Sequence, residues 1–228
     1  MNLYIVRHGN PNYSTDRLTD LGHKQAESVA NAMLGLGIDE IHSSPLGRAQ
    51  ETAGHLADKL GLPVITEPWA HEVWNYVPDG RGGTTLSVEM DPTFLRSPEV
   101  EGNPNWASMP EFNGADGVLG MINEVESGAA EMLRKQGYVL EGSRFKITDP
   151  ANPNEKNIAL FCHAGLFLVL TSFLLQMPRL TAWHSFSMDH TGMTWCNFTN
   201  CESGFSVPRY YYVNRTDHLS VDGIPITS

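Results

Sequence analysis

The chain has 228 residues, 41% hydrophobic and 18% charged, which is enough apolar material to bury a core and excludes wholesale disorder. Its formal net charge of −11 repels polyanions, so general nucleic-acid binding and docking on an anionic membrane are excluded, and any phosphate site has to be a local island of positive charge. Cys162, Cys196 and Cys201 form neither a disulfide framework nor a zinc pattern and fit a cytoplasmic protein, and the N-terminus lacks a signal-peptide pattern.

Residues 2–6 are a short apolar run with β-branched and aromatic members, the pattern of a buried parallel strand. A polar loop, Arg7 to Arg17, follows. Thr19 is then a helix N-cap with Asp20 in the first turn, and Ala26, Val29, Ala30 and Met33 recur at helical spacing until Gly35 and Gly37. A second strand is predicted over Ile38–His42. A second helix starts from Ser43-Ser44-Pro45, presents Leu46, Ala49, Ala53, Leu56, Ala57 and Leu60, and closes at Gly61 and Pro63. A third strand is predicted over Pro63–Thr66.

This alternation implies a parallel sheet with helices on its faces, and such sheets gather ligands at the carboxyl ends of their strands. From Tyr76 to Asn113 the sequence is rich in Gly, Pro and Asn and has little periodicity. One helix follows, with Val118, Ile122, Val125, Ala129, Met132 and Leu133 on one face, and Gly142–Lys156 is again polar. The stretch 75–155 therefore reads as an insertion covering the sheet edge plus the helix that returns to it, within one domain of residues 1–228. Ile158–Met177 is as long as a membrane span, yet it contains His163-Ala164-Gly165 and divides into a strand over 157–162 and a buried helix over 166–175, stopped by Pro178. Strand patterns return at Thr191–Phe198 and Phe205–Asn214.

Three segments carry chemistry. Arg7-His8-Gly9 as a tripeptide is weak, since roughly one or two per cent of chains this long contain it by chance. Directly after a strand it is stronger. A nucleophilic histidine needs a neutral ring held with one nitrogen free and the other donating to a fixed acceptor, and a rigid strand end is such a mount. Gly9 would allow close backbone approach and an unusual backbone angle. Arg7 can fork onto phosphoryl oxygens. Arg48 falls in the first turns of the second helix, where the dipole already favours anions. His163 lies where an apolar strand meets an apolar helix, costly to bury without partners, and beside an oxyanion it can stay protonated and donate. No metal-ligand spacing is found among the histidines: His184 and His190 read as structural or rim residues, and His23, His42, His55 and His218 as peripheral.

In this order these segments resemble the histidine phosphatase superfamily, which also contains the cofactor-dependent phosphoglycerate mutases. Leu18-Thr19-Asp20-Leu21-Gly22-His23-Lys24-Gln25-Ala26 is similar to its Leu-Thr-x-x-Gly-x-x-Gln-Ala pattern. Ser44-Pro45 with Arg48-Ala49 and Thr52-Ala53 is similar to its Ser-Pro-x-x-Arg-Ala-x-x-Thr-Ala pattern. Asn214 with His218-Leu219 resembles its closing segment. The resemblance covers about 1–72 and 157–220.

It implies a three-layer α/β/α sandwich with a mostly parallel sheet. It implies a phosphomonoester phosphatase in which His8 forms a phosphohistidine while Arg7, Arg48 and His163 neutralise the phosphoryl oxygens. It points to Glu72 as general acid and base, shielded by Trp74, with Asp79 and Glu89 as alternatives. Asn10-Pro11-Asn12 departs from the family's usual Glu or Gln and Thr after the Gly. Asn10 or Asn12 is a candidate phosphate contact, and Thr191 a second contact by analogy. No cofactor and no metal are expected, and the expected partner is a small-molecule phosphomonoester.

A phosphoglycerate mutase-type phosphotransferase is the alternative, disfavoured because the insertion's basic residues are few, chiefly Arg81, Arg96, Arg134, Lys135, Arg144 and Lys146. A non-enzymatic phospho-ligand or partner-binding module is disfavoured by retention of His8, Arg7, Arg48 and His163. Trp69, Trp74, Tyr76 and Trp106 are open to two readings, an aromatic-lined cap or ordinary insertion core.

Overall fold

The computed structural model describes residues 1–73, 76–79, 81–112 and 115–228. The strands of the central sheet are β1 (Asn2–Arg7), β2 (Glu40–Ser43), β3 (Val64–Thr66), β4 (Tyr138–Glu141), β5 (Arg144–Ile147), β6 (Asn157–Cys162), β7 (Met193–Asn200) and β8 (Phe205–Arg215). The principal helices are α1 (Asp20–Met33), α2 (Gly47–Leu60), α3 (Ala115–Lys135), α4 (Ala164–Leu175) and α5 (Arg179–Ser185). The strands form one eight-stranded sheet in the order β3-β2-β6-β1-β7-β8-β5-β4. Strands β3, β2, β6 and β1 are parallel, and β7, β8, β5 and β4 continue the sheet antiparallel. Because β8 and β4 are each antiparallel to a reversed neighbour, most of the sheet still runs in one sense.

Alternation along the central strands divides the core into two layers. Leu3, Ile5, Ile158, Leu160 and Cys162 face α3, α4 and α5, where they meet Ile122, Val125, Leu166, Val169 and Trp183. Tyr4, Val6, Ala159 and Phe161 face α1 and α2, against Val29, Met33, Ala53 and Leu56. Helix α4 is buried almost throughout, which explains its uniformly apolar sequence. No helix among the described residues is long and apolar enough to cross a membrane.

The structure departs from the sequence reading in three places. Gly142–Lys156 is not all loop: Arg144–Ile147 pairs with Tyr138–Glu141 and with β8, extending the central sheet. Helix α4 ends at Gln176, whose φ of 51° is left-handed, before Pro178 is reached. A further helix, α5, then returns the chain over the sheet. Between β3 and α3 lie a small hairpin (Tyr76–Pro78 with Thr84–Leu86) and short helical turns. Trp74, Asn75 and Asn113 lie outside the described residues.

Candidate active site

The polar residues of the site leave the carboxyl ends of β1, β2 and β6 and the loop after β3. Arg7 ends β1 and His8 follows it. His8 and His163 are almost fully buried, at 1% and 0% exposure. The Nδ1 of His8 lies 2.7 Å from the Gly9 carbonyl oxygen. A carbonyl only accepts, so Nδ1 carries the ring proton and Nε2 keeps its lone pair. Arg48 Nε donates to that Nε2 at 3.2 Å. Burial first, then the Arg7 and Arg48 charges, hold the His8 pKa well below the ordinary histidine value, despite the opposing Gly9 bond.

Close packing fixes the loop that carries His8. A Cβ on Gly9 would lie 2.5 Å from the Gly22 carbonyl oxygen, and one on Gly22 2.1 Å from that of Asn10. Gly9 is thus required for close approach; it is not among the residues with positive φ, so the expected unusual angle is absent. Thr52 Oγ1 accepts the Gly9 N–H and donates to the Arg48 carbonyl, tying the two segments together. Gln25 accepts the Asn10 N–H, and Thr19 caps α1 through the Gly22 N–H while donating to Asn10 Oδ1.

Arg48 is anchored by Asp16, whose carboxylate also accepts the Gly47 N–H at 2.6 Å and meets Arg48 Nη1 at 2.5 Å. Arg7 Nη1 donates to the Met188 carbonyl at 2.6 Å. His163, the residue before α4, sits with its ring centroid 5.1 Å from that of His8 and its Nε2 2.7 Å from Ser44 Oγ. Burial first, then His8, Arg48 and Arg7, hold it well below the ordinary histidine pKa. In this arrangement His163 is neutral, not the imidazolium expected beside an oxyanion; the anion's own charge would have to raise it.

Glu72 shares a cleft of about 1000 Å³ with Arg7 and Arg48. Its Oε1 accepts the Val73 N–H at 2.9 Å and the Leu166 N–H of α4 at 3.3 Å. Burial raises its pKa, opposed by those donors and the two arginines. Asp79 is the opposite case: exposed, it accepts the Arg81 and Gly83 N–H groups, which lower its pKa and suit it poorly to donating a proton. Glu89 lines the same cleft.

Asn10 and Thr191 are not brought to the cleft. The Asn10 side chain is engaged by Thr19. The Thr191 hydroxyl donates to the His190 carbonyl and faces His218 Nε2, and its N–H donates to the carbonyls of Arg7 and His8. Its φ of 57° is unusual for a β-branched residue. Thr191 thus braces the backbone of the Arg-His pair, and Asn214 staples the same turn through Asp189.

Sequence reasoning missed Asp16, Ser44 and His190 as members of the site. His190 is buried, with its ring 5.4 Å from that of His8 and its Nδ1 2.9 Å from Thr227 Oγ1. Only Ser44 carried a local signal, its place beside Pro45 at a strand exit. Of the aromatic residues, Tyr76 lines the cleft with Trp183 and Phe186 from beyond the insertion. Trp69 packs under α3 against Gly128, and Trp106 stacks edge-on with Phe112 and Trp183.

Comparison with known proteins agrees with this architecture. The profile of the histidine phosphatase superfamily (branch 1) matches residues 3–84. The "Probable phosphoglycerate mutase GpmB" of Yersinia pestis (strain Pestoides F) is 31% identical over 153 residues, spanning 61% of this chain and 71% of that protein. Phosphoserine phosphatase of Entamoeba histolytica, solved with 3-phosphoglyceric acid, superposes with a TM-score of 0.60 at 26% identity, covering 96% of this chain and 98% of that one. A mycobacterial glucosyl-3-phosphoglycerate phosphatase gives 0.63 at 21% identity, covering 94% and 99%. The α-ribazole phosphatase of Shigella flexneri gives 0.60 at 20% identity, covering 95% and 97%. On its motifs, its fold and this relationship, the chain belongs to the histidine phosphatase superfamily.

Proposed function

We propose that the protein is a phosphomonoester phosphatase working through a phosphohistidine on His8, with Glu72 as general acid and base. The observation that carries this reading is the His8 ring: Nδ1 is committed to the Gly9 carbonyl and Nε2 bears a lone pair beside Arg48. In the first step Nε2 bonds to phosphorus as the bond to the leaving oxygen breaks, and the Glu72 proton passes to that oxygen. Arg48 Nε transfers its hydrogen bond from Nε2 to a phosphoryl oxygen, Arg7 neutralises a second, and His163 donates a hydrogen bond to the third. In the second step the Glu72 carboxylate takes a proton from water as the water oxygen bonds to phosphorus and the N–P bond breaks. The products are the alcohol and inorganic phosphate.

The fold reading that accompanies this is a single domain, 1–228, in which 75–155 covers the site and returns through α3. The substrate class is a small phosphomonoester, and on its cysteine content the protein is placed in the cytoplasm. A mutase-type transfer is the second reading, favoured by the description of the Yersinia relative. The test is an alkaline quench of enzyme with substrate, followed by mass spectrometry of the peptide containing His8. A phosphohistidine there, with phosphate release from an aryl phosphate, is expected. Label elsewhere, or turnover that survives His8→Ala, overturns the reading; phosphoglycerate interconversion without phosphate release would favour the mutase.

A further inference from the structure

We propose that this cleft selects against negative charge on the leaving group and that Glu89 enforces the selection; the inference rests on the phosphatase reading above. The substrates are then phosphomonoesters of uncharged or cationic alcohols with an apolar or aromatic body.

Among the described residues lining the cleft, the arginines are Arg7 and Arg48, and no lysine joins them. Both stand beside His8 and are needed at the phosphoryl end. A carboxylate or second phosphate on the leaving group would therefore enter the cleft without a counter-charge.

The anions of the wall differ from one another. Asp16 is neutralised by Arg48 and the Gly47 N–H, and Glu72 is buried on its backbone donors. Glu89 is exposed, and no hydrogen bond or ion pair to it is seen among the described residues. It also lines an adjoining cavity of about 760 Å³, whose other charged residues are Asp79, Asp91, Glu111 and Arg81. Negative charge thus continues outward from the site through Glu89. The surfaces between are apolar and aromatic, including Tyr76, Trp183 and Phe186. Such a wall accepts an apolar stem or a cation over a ring face, and repels an anion.

The test uses three esters with one body: phenyl phosphate, 4-carboxyphenyl phosphate and 4-(aminomethyl)phenyl phosphate. Wild type should hydrolyse the carboxylated ester with kcat/KM about fivefold or more below that of the aminomethyl ester. Comparing each ratio between wild type and Glu89→Gln cancels the intrinsic reactivity of the leaving groups. Glu89→Gln should close the gap by about fivefold, and Glu89→Lys should reverse the preference. Should either variant fold poorly, added salt must narrow the wild-type gap, because Glu89 is exposed to screening. Equal kcat/KM values in wild type, or a gap that neither Glu89 substitution nor salt moves, overturn the inference while leaving the phosphatase reading intact. If no ester is hydrolysed and His8 is never labelled, the phosphatase reading falls and takes the inference with it.

Discussion

The Ser44 hydroxyl lies 2.7 Å from His163 Nε2, and the same oxygen accepts the Leu46 N–H at 3.2 Å. With the Leu46 N–H on one lone pair, the single hydroxyl proton is available to the ring. Nε2 then accepts, and the proton of the neutral imidazole is placed on Nδ1, which is buried and unpartnered among the described residues. Ser44 is in this sense a positioning residue that orients His163 toward an anion.

Ser44→Ala should therefore lower kcat by about 10–100-fold, a range typical of lost orienting partners. Stability should fall by about 1–3 kcal/mol, because the buried His163 Nε2 and the Leu46 N–H both lose their partner. The distinguishing readout is the His163 ring: nitrogen NMR should show the tautomer change, and Ser44→Thr should restore it. An unchanged tautomer with unchanged kcat would remove Ser44 from the site.

Glu72 gives a paired prediction for rate and stability. Its folded pKa is raised, chiefly by burial, so the protonated form is favoured and the acid limb of catalysis is lost as pH rises through that value. The same sign holds for folding. The stabilising contribution is full below the unfolded carboxylate pKa and is lost as pH climbs through the folded value. Glu72→Gln should cut kcat about 10²–10⁴-fold, most for esters with poor leaving groups. It should also raise Tm at pH 7.5 and leave it unchanged near pH 4. A loss of Tm at pH 7.5 would show that Glu72 is not a destabilising buried carboxylate.

Gly165 tests the same carboxylate from the other side. A Cβ there would lie 2.7 Å from Glu72 Oε1 and 3.2 Å from Val73 Cβ. In the first turn of α4 alanine would otherwise be favourable by up to about 1 kcal/mol. Gly165→Ala should therefore fold, yet push the carboxylate out of place and lower kcat about tenfold or more with the pH profile displaced. Wild-type kcat with an unmoved pH profile would show that Glu72 is not held by this contact.

The parallel half of the sheet was legible because β1 and β6 are short apolar runs, each followed by its polar signal, and β2, with only Ile41 apolar, lies in sequence between two amphipathic helices. His8, Arg7, Arg48 and His163 were legible because strand ends are where such a sheet presents side chains. The hairpin of β4 and β5 was hidden because β5 lies in a polar, Pro-containing stretch, although Phe145 and Ile147 alternate with exposed Arg144 and Lys146 as a strand with one buried face should. Asp16 and His190 were unreadable for a different reason. Asp16 reaches Arg48 from a loop 32 residues away, and His190 reaches Thr227 across 37. Such partners are selected by three-dimensional closure, which leaves no periodicity in the chain. Thr191 serves the Arg7-His8 segment through its backbone N–H, which donates to the Arg7 and His8 carbonyls, while its hydroxyl turns to the His190 carbonyl.

His190 supplies the last prediction. Burial, then the Arg7 charge, push its pKa down to about 3, and His8 and His163 are also held well below the ordinary value. A folded pKa below the unfolded one means that the unfolded chain takes up its proton first. Stability is then full above about pH 6.5 and is lost as pH falls below it, until the folded values are reached. His42, raised by Glu67 and Glu40 against its own burial, works in the opposite sense, so the net slope mixes several histidines. A difference between variants isolates one of them. His190→Asn retains a polar group facing Thr227 and removes one titration. Between pH 6 and 5 the slope of unfolding free energy against pH should become shallower by about one proton, or about 1.4 kcal/mol per pH unit. Urea unfolding at closely spaced pH values measures it. Parallel slopes for the variant and wild type would mean that His190 titrates alike folded and unfolded, and is not the neutral buried ring beside His8 that the packing describes.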